Sequence, residues 1–228
     1  VVNHLDNEKA DFDHTVQQAK EHFGNKITVI QYPLQQGEGF HVIVDVLRMT
    51  MYKFKDAGGK PEKMDIPDSE RERANVLHKE LIEAVAGNDE TLMEKYFEKG
   101  ELDEDDIKSG MKKAMINHDL FPLFCLSAER NMGAGRLMGF IDNVCPSANE
   151  MPAQQSVKGQ SVACDVKAPV CAFIYKAISE PHVGELSFMK VFSGSLKTGM
   201  ELINENTGVS ERINQLFVME GNKRMNVN

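Results

Sequence analysis

The chain has 228 residues, 41% of them apolar, and a formal net charge of −9 at pH 7. Such a length suggests one or two domains with real hydrophobic cores. The acidic balance argues against a free-standing nucleic-acid binder, which is normally basic. No apolar run approaches the roughly 18 residues that a membrane span needs. The start carries no signal peptide, although a longer N-terminus would hide one.

In chain order, Asp11 or Asp13 can cap a helix running to about Phe23, which Gly24-Asn25 stops. Lys26 to Leu34, rich in β-branched residues, reads as a strand, Gln35 to Gly39 as a turn, and Phe40 to Phe54 as one or two further strands. A loop over Asp56-Ala57-Gly58-Gly59-Lys60-Pro61 precedes a short edge at Met64 to Ile66. The period then becomes helical. Ser69 with Glu72 forms a capping-box pattern ahead of Leu77, Leu81, Ile82 and Val85, and Gly87 ends that helix. Asn88 or Asp89 caps a second helix with Leu92, Met93, Tyr96 and Phe97 on its apolar face and Gly100 as its stop. Asp103 begins a third, carrying Ile107, Met111, Ala114 and Met115. The acids Glu101, Asp103, Glu104, Asp105 and Asp106 suit the positive end of that helix. They read as a solvated helix start or, alternatively, as a surface for a basic partner.

Leu120 to Leu126 is again a short apolar strand, and Gly133 to Val144 an amphipathic helix. The polar stretch from Pro146 to Ser161 reads as a linker. Beyond Val166 the texture is all β, with strands over Pro169 to Lys176, Gly184 to Phe192 and Met200 to Ile203, then Ile213, Leu216 and Val218. Turns at Ser193-Gly194 and Asn206-Thr207-Gly208 complete a β-barrel pattern that reaches Asn228 without a closing strand.

Two short stretches carry binding chemistry. Val1-Val2 runs into Asn3-His4-Leu5-Asp6, as though the chain opened at the end of a strand inside a domain. Pro122-Leu123-Phe124-Cys125-Leu126 runs likewise into Ser127-Ala128. Guanine presents N1–H beside a 2-amino group, and one carboxylate accepts from both in a charge-assisted pair. Asp6 suits that role. Facing adenine, a buried Asp is left unpaired at a cost of about 1–3 kcal/mol. Asn3 can bond the base near N7 and tie loops together, because Asn both donates and accepts. Small residues at Ser127 and Ala128 let a backbone N–H approach the guanine O6. Taken singly, both stretches also read as ordinary turns.

Other patterns lead away from chemistry. Gly194-Ser195-Leu196-Lys197-Thr198-Gly199 lacks the spacing and the following helix of a phosphate loop and reads as a turn. Cys125, Cys145, Cys164 and Cys171 include no Cys-x-x-Cys pair, so reduced core thiols fit better than zinc. His4, His14, His22, His41, His78, His118 and His182 form no metal-spaced group. Met49 and Met51 read as one face of a strand. No catalytic residues and no metal ligands are assigned.

With the whole chain laid out, it resembles bacterial elongation factor G. Asn3-His4-Leu5-Asp6 with Ala10-Asp11-Phe12 is similar to that family's Asn-Lys-x-Asp guanine motif and the helix after it. Gln31-Tyr32-Pro33-Leu34 and Ile43-Val44-Asp45-Val46-Leu47 resemble the entry to its inserted G′ subdomain. Phe124 to Glu129, with Asn131 and Gly133, resembles the closing guanine motif, and Ile141-Asp142 to Pro146-Ser147 the end of the G domain. Phe188 to Lys197 with Gly199, and Gly221-Asn222-Lys223-Arg224, resemble the second-domain barrel.

The resemblance implies an α/β fold, the C-terminal part of a P-loop GTPase G domain with an α+β insertion, followed by an all-β barrel domain. It divides the chain into 1–24 and 119–145 of the G domain, 25–118 of the inserted subdomain, a linker at 146–165 and 166–228 of an incomplete domain II. It implies a GTP-driven factor promoting tRNA–mRNA translocation in the cytoplasm, monomeric and without membrane contact. The ribosome is the partner, through its stalk protein at the inserted subdomain and its small subunit at domain II. Guanine of GTP or GDP is expected against Asn3, His4, Asp6, Ser127, Ala128 and Glu129. Mg²⁺ belongs to the intact protein, with its ligands, the phosphate loop and the switch segments outside this chain. The segment alone is therefore expected to be inactive. Alternatives are a non-enzymatic interaction module, or a ribosomal-protection or ribosome-recycling GTPase of the same fold. His4 stands where the family has Lys, which predicts weakened base stacking and loop support.

Overall fold

A strand covered on both faces reads as an unbroken apolar run, and Leu120 to Leu126 is such a run around which the first of two units is built. The computed structural model describes residues 1–180, 184–221 and 223–227; His182, Asn222 and Asn228, named above, lie outside them. The chain divides into Val1–Pro146 and Ser147–Asn228.

The first unit runs α1 (Phe12–Phe23), β1 (Ile27–Val29), β2 (Gln31–Pro33), β3 (Val42–Asp45), β4 (Thr50–Lys53), β5 (Glu62–Met64), α2 (Asp68–Ala86), α3 (Glu90–Lys99), α4 (Glu104–Ile116), β6 (Phe121–Leu123) and α5 (Ala134–Asn143). β6 pairs in parallel with β1, Ile27 opposite Phe121. Just beyond β6, Cys125 pairs in parallel with Val2. The segment 121–126 thus has a partner on each side. Its side chains alternate between two cores: Leu123 and Cys125 join Val2, Leu5, Phe12 and Val29, while Leu120 and Phe124 join Ile30, Leu81, Met111 and Phe140. Burial pushes the Cys125 thiol well above its usual range, and the nearby Asp45 charge adds to this. Cys164, expected with the core thiols, is exposed instead.

β2, β3, β4 and β5 form a separate antiparallel sheet in that order. The strand expected over 26–34 is therefore two strands in two sheets. Ile30 marks the change: its N–H donates to the Leu123 carbonyl at 2.9 Å, and its carbonyl accepts from Val46 N–H at 2.9 Å. Asp45, on β3, ties this sheet to α5. It accepts from the Gln31 amide at 3.1 Å and Arg48 N–H at 3.0 Å, with an Arg136 nitrogen at 3.8 Å. Arg136 also stacks 4.1 Å above the Tyr52 ring. Met49 is not on a strand face. It sits in the β3–β4 turn at φ +47, a left-handed position that breaks strand alternation.

Helix ends follow local chemistry. Asp11, Asp89 and Asp103 cap α1, α3 and α4 by accepting first-turn N–H groups, and Gly24, Gly87 and Gly100 close α1, α2 and α3. The Ser69–Glu72 box is not used. Pro67 holds an extended conformation at the N-cap and α2 starts at Asp68, so Ser69 already lies inside the helix. Phe97, expected on the buried face of α3, is 78% exposed. Gly110 of α4 is where helices meet: an added Cβ would lie 2.4 Å from Val85 Cγ1 and 2.6 Å from Leu92 Cδ1.

The second unit contains β7 (Gln154–Gln155), β8 (Ser161–Val162), β9 (Cys171–Glu180), β10 (Gly184–Ser193), β11 (Glu201–Asn204), β12 (Val209–Arg212), β13 (Leu216–Glu220) and β14 (Lys223–Val227). The stretch read as a linker thus holds a small hairpin, β7–β8, preceded by a capped 3-10 turn at Ala148–Glu150. The expected barrel is not closed. Among the described residues the strands pair only as hairpins, β9 with β10, β11 with β12 and β13 with β14. Phe173, Tyr175 and Ile203 are correspondingly 59%, 60% and 68% exposed. The segment 194–199 is a turn, and Gly194 is there for room: at φ +72 its missing Cβ would lie 2.7 Å from Val170 Cα.

Replacing Gly by Ala inside a helix ordinarily stabilises by up to about 1 kcal/mol. For Gly110→Ala the crowding against Val85 and Leu92 reverses the sign. Urea unfolding is expected to give a net loss of about 1–2 kcal/mol.

Candidate functional site

Parallel pairing sends Val2 and Leu126 toward the same end of the sheet, so the loops that follow them emerge side by side. Val2 N–H donates to Phe124 carbonyl at 2.8 Å, and Leu126 N–H to Val2 carbonyl at 3.0 Å. Ligands of open α/β sheets bind at the carboxyl ends of strands, and both loops leave from that end.

Asn3 crosses directly to the second loop, its Oδ1 accepting the Ala128 N–H at 3.0 Å. The N–H expected to meet guanine O6 is therefore held by Asn3 in this structure. His4 is exposed with φ +59, and its carbonyl accepts Asn7 N–H at 3.0 Å, which tightens the Asn3–Asp6 turn. Gly37 N–H donates to the Leu5 carbonyl at 2.8 Å, so the turn after β2 braces the same loop.

Asp6 lies beneath the second loop, with 12% of its side chain exposed. Its Oδ2 is 3.3 Å from Arg130 Nε, whereas its buried Oδ1 has no hydrogen-bond partner among the described residues. The Ser127 hydroxyl, then Asp6's own N–H and the Arg130 and His4 side chains, hold this carboxyl below the usual carboxylate range despite its burial. The lowered value means that Asp6 stabilises the fold above the unfolded pKa of about 3.9. That contribution disappears as pH falls through the folded value. At neutral pH Asp6 is an ionised acceptor.

Ser127 is fully buried. It exchanges backbone hydrogen bonds with Met132, both at 2.9 Å, and its Oγ accepts Arg130 N–H at 3.2 Å. Ala128 and Glu129 are exposed on the loop so formed. Gly133, at φ +91, starts α5 where a Cβ would lie 2.8 Å from Ile43 Cδ1 and 3.0 Å from Cys125 carbonyl.

Residues 3, 6, 127 and 128 thus come together at one end of the sheet. Sequence reasoning missed Arg130 and the glycine pair that supports it. Gly58, at φ +67, leaves a gap that a Cβ would fill 2.0 Å from the Arg130 carbonyl. Gly59 N–H donates to the Asn131 carbonyl at 3.1 Å. The double glycine was a visible signal for a loop, but not for the backbone it would press against.

A family model described as elongation factor G domain 2 matches residues 169–228. A crystal structure of a protein from Thermus thermophilus is similar over 99% of this chain, with 26% sequence identity and a TM-score of 0.79. The chain spans 31% of the length of that protein. The likeness to elongation factor G domain 2 thus rests on the second unit, and the structural similarity extends a likeness of fold over the first. No helix among the described residues is long and apolar enough to cross a membrane.

Gly58→Ala is expected to destabilise the first unit by about 1–3 kcal/mol through a forced left-handed conformation. In amide spectra the largest shifts should fall on Arg130 and Asn131.

Proposed function

We propose that this chain carries the guanine-reading half of a ribosome-dependent translational GTPase of the elongation factor G type, followed by the start of its second domain. The observation that carries the reading is the Asn3–Ala128 bond, which joins two loops 125 residues apart beside the ionised Asp6. An ionised carboxylate at Asp6 accepts from guanine N1–H and the 2-amino group together. Adenine has an acceptor at N1 and no amino group at C2, so the same carboxylate rejects it. The Ala128 N–H meets O6 by sharing or replacing its bond to Asn3.

In this reading residues 25–118 form the inserted subdomain that meets the ribosomal stalk protein. The domain beginning near Val166 faces the small subunit. Translocation of tRNA and mRNA in the cytoplasm is the activity of the whole protein, and GTP is its substrate. Mg²⁺ in this reading belongs to the phosphate end of the nucleotide, where the phosphate loop and switch segments of the whole protein would hold it and it would neutralise phosphate charge.

His4 replaces the family's Lys. A Lys stem lies along the base, whereas the imidazole side chain is shorter and reaches less far over it. We infer weaker base stacking and altered nucleotide handling. In the full-length protein, His4→Lys should tighten GDP binding, and unchanged affinity would sink this inference.

Two outcomes test the site. Asp6→Asn in the full-length protein should weaken GDP binding roughly 10- to 100-fold, since an amide donor then faces guanine's donors, a loss of about 1.5–3 kcal/mol. Affinity should pass to xanthosine diphosphate, which presents a carbonyl where guanine has its amino group. Residues 1–228 alone should neither hydrolyse GTP nor bind GDP at micromolar concentration in calorimetry, because phosphate contacts supply much of nucleotide affinity. Micromolar or tighter binding by this segment would contradict the proposal.

A further inference from the structure

The groups best suited to read guanine are already engaged with protein partners. Ala128 N–H donates to Asn3, and the Asp6 carboxylate is paired with Arg130. The second pair differs from the first in kind. Asn3 is one of the two loops' own ties, whereas Arg130 is a half-exposed cation whose 37% exposed side chain reaches back onto a nearly buried acid.

Arg130 is well placed to hold that position. Its N–H donates to Ser127 Oγ at 3.2 Å, and its carbonyl is backed by Gly58, where any Cβ would collide. The backbone at 130 is therefore braced, while 37% of the side chain remains exposed to solvent. Guanine needs both carboxylate oxygens, since N1–H and the 2-amino group lie side by side. Oδ1 is fully buried and Oδ2 lies against the guanidinium, so Arg130 occupies an acceptor that the base requires.

We propose that Arg130 is an affinity-determining latch on the guanine site: its ion pair with Asp6 competes with the base and must open for guanine to be read. This deepens the proposed function and rests on it. The latch sets how tightly the site holds guanine without touching phosphate. It also links affinity to the Gly58–Gly59 loop, which buttresses the latch residue's backbone.

A partly exposed ion pair is a weak competitor, worth a factor of about 2–5 in an equilibrium constant. The test uses the full-length protein and GDP, with dissociation constants measured by calorimetry. Arg130→Gln and Arg130→Ala are expected to bind GDP about 2–5-fold more tightly than wild type. Arg130→Lys, which keeps the charge, stays near wild type. In ~1 M KCl, where the screening length is about 3 Å, the gain collapses because salt opens the latch in the wild type as well. A residue that merely props the loop behaves in the opposite way. Its truncation weakens GDP binding, most in Arg130→Ala, and salt leaves the difference in place. Unchanged or weaker binding by Arg130→Gln overturns the latch while leaving the guanine site standing. Failure of the wild-type protein to bind GDP overturns the site and the latch together.

Discussion

The candidate site depends on the parallel pairing of Val2 with the segment that ends in Leu126. Two backbone hydrogen bonds make the connection, at 2.8 and 3.0 Å, and each contributes only about 0.5–1.5 kcal/mol net. Their value is directional. They force two loops distant in sequence to leave the sheet at the same end and the same height. Cys125 lies opposite Val2 in the register, so Asn3 and Ser127-Ala128 follow within a few residues on neighbouring segments. A slip of one residue would turn Leu123 and Cys125 out of their core and separate Asn3 from Ala128.

Burial on both faces protects that register. One face packs with Phe12, Val29 and Ile43, the other with Leu81, Met111 and Phe140. The second set comes largely from helices of the stretch between the two loops. Those helices therefore do more than project outward: they complete the floor under the strand that carries the site. The same holds for the β4–β5 loop, whose glycines press on the backbone at Arg130 and Asn131. Anything that displaces this loop acts on the loop after Leu126 through backbone contact.

What the sequence revealed and what it hid divide along local and non-local physics. Asp11, Asp89 and Asp103 cap their helices as expected because capping is settled within four residues. Gly24, Gly87 and Gly100 end helices for the same kind of reason. Ser69 failed as a cap because Pro67, two residues earlier, already holds the extended N-cap position. The break at Ile30 escaped notice because a run of β-branched residues does not tell which sheet it joins. The candidate site was partly legible: Asn3, Asp6, Ser127 and Ala128, singled out for how they would suit guanine, do come together in the fold. Arg130 was not, since only the fold brings its side chain to Asp6. The second unit was legible as strands and turns, but not as the separate hairpins observed, because strand partners are set by tertiary closure.

The loops after Val2 and Leu126 are proposed to form one guanine-selective surface. Titrating isotopically labelled residues 1–228 with millimolar guanosine 5′-monophosphate, and separately with the adenosine analogue, tests it most directly by amide chemical shifts. The account predicts shifts concentrated on Asn3 to Asp6 and Ser127 to Arg130 with the guanine nucleotide, and little response there to the adenine nucleotide. Shifts confined to one loop, or equal responses to both nucleotides, would contradict it.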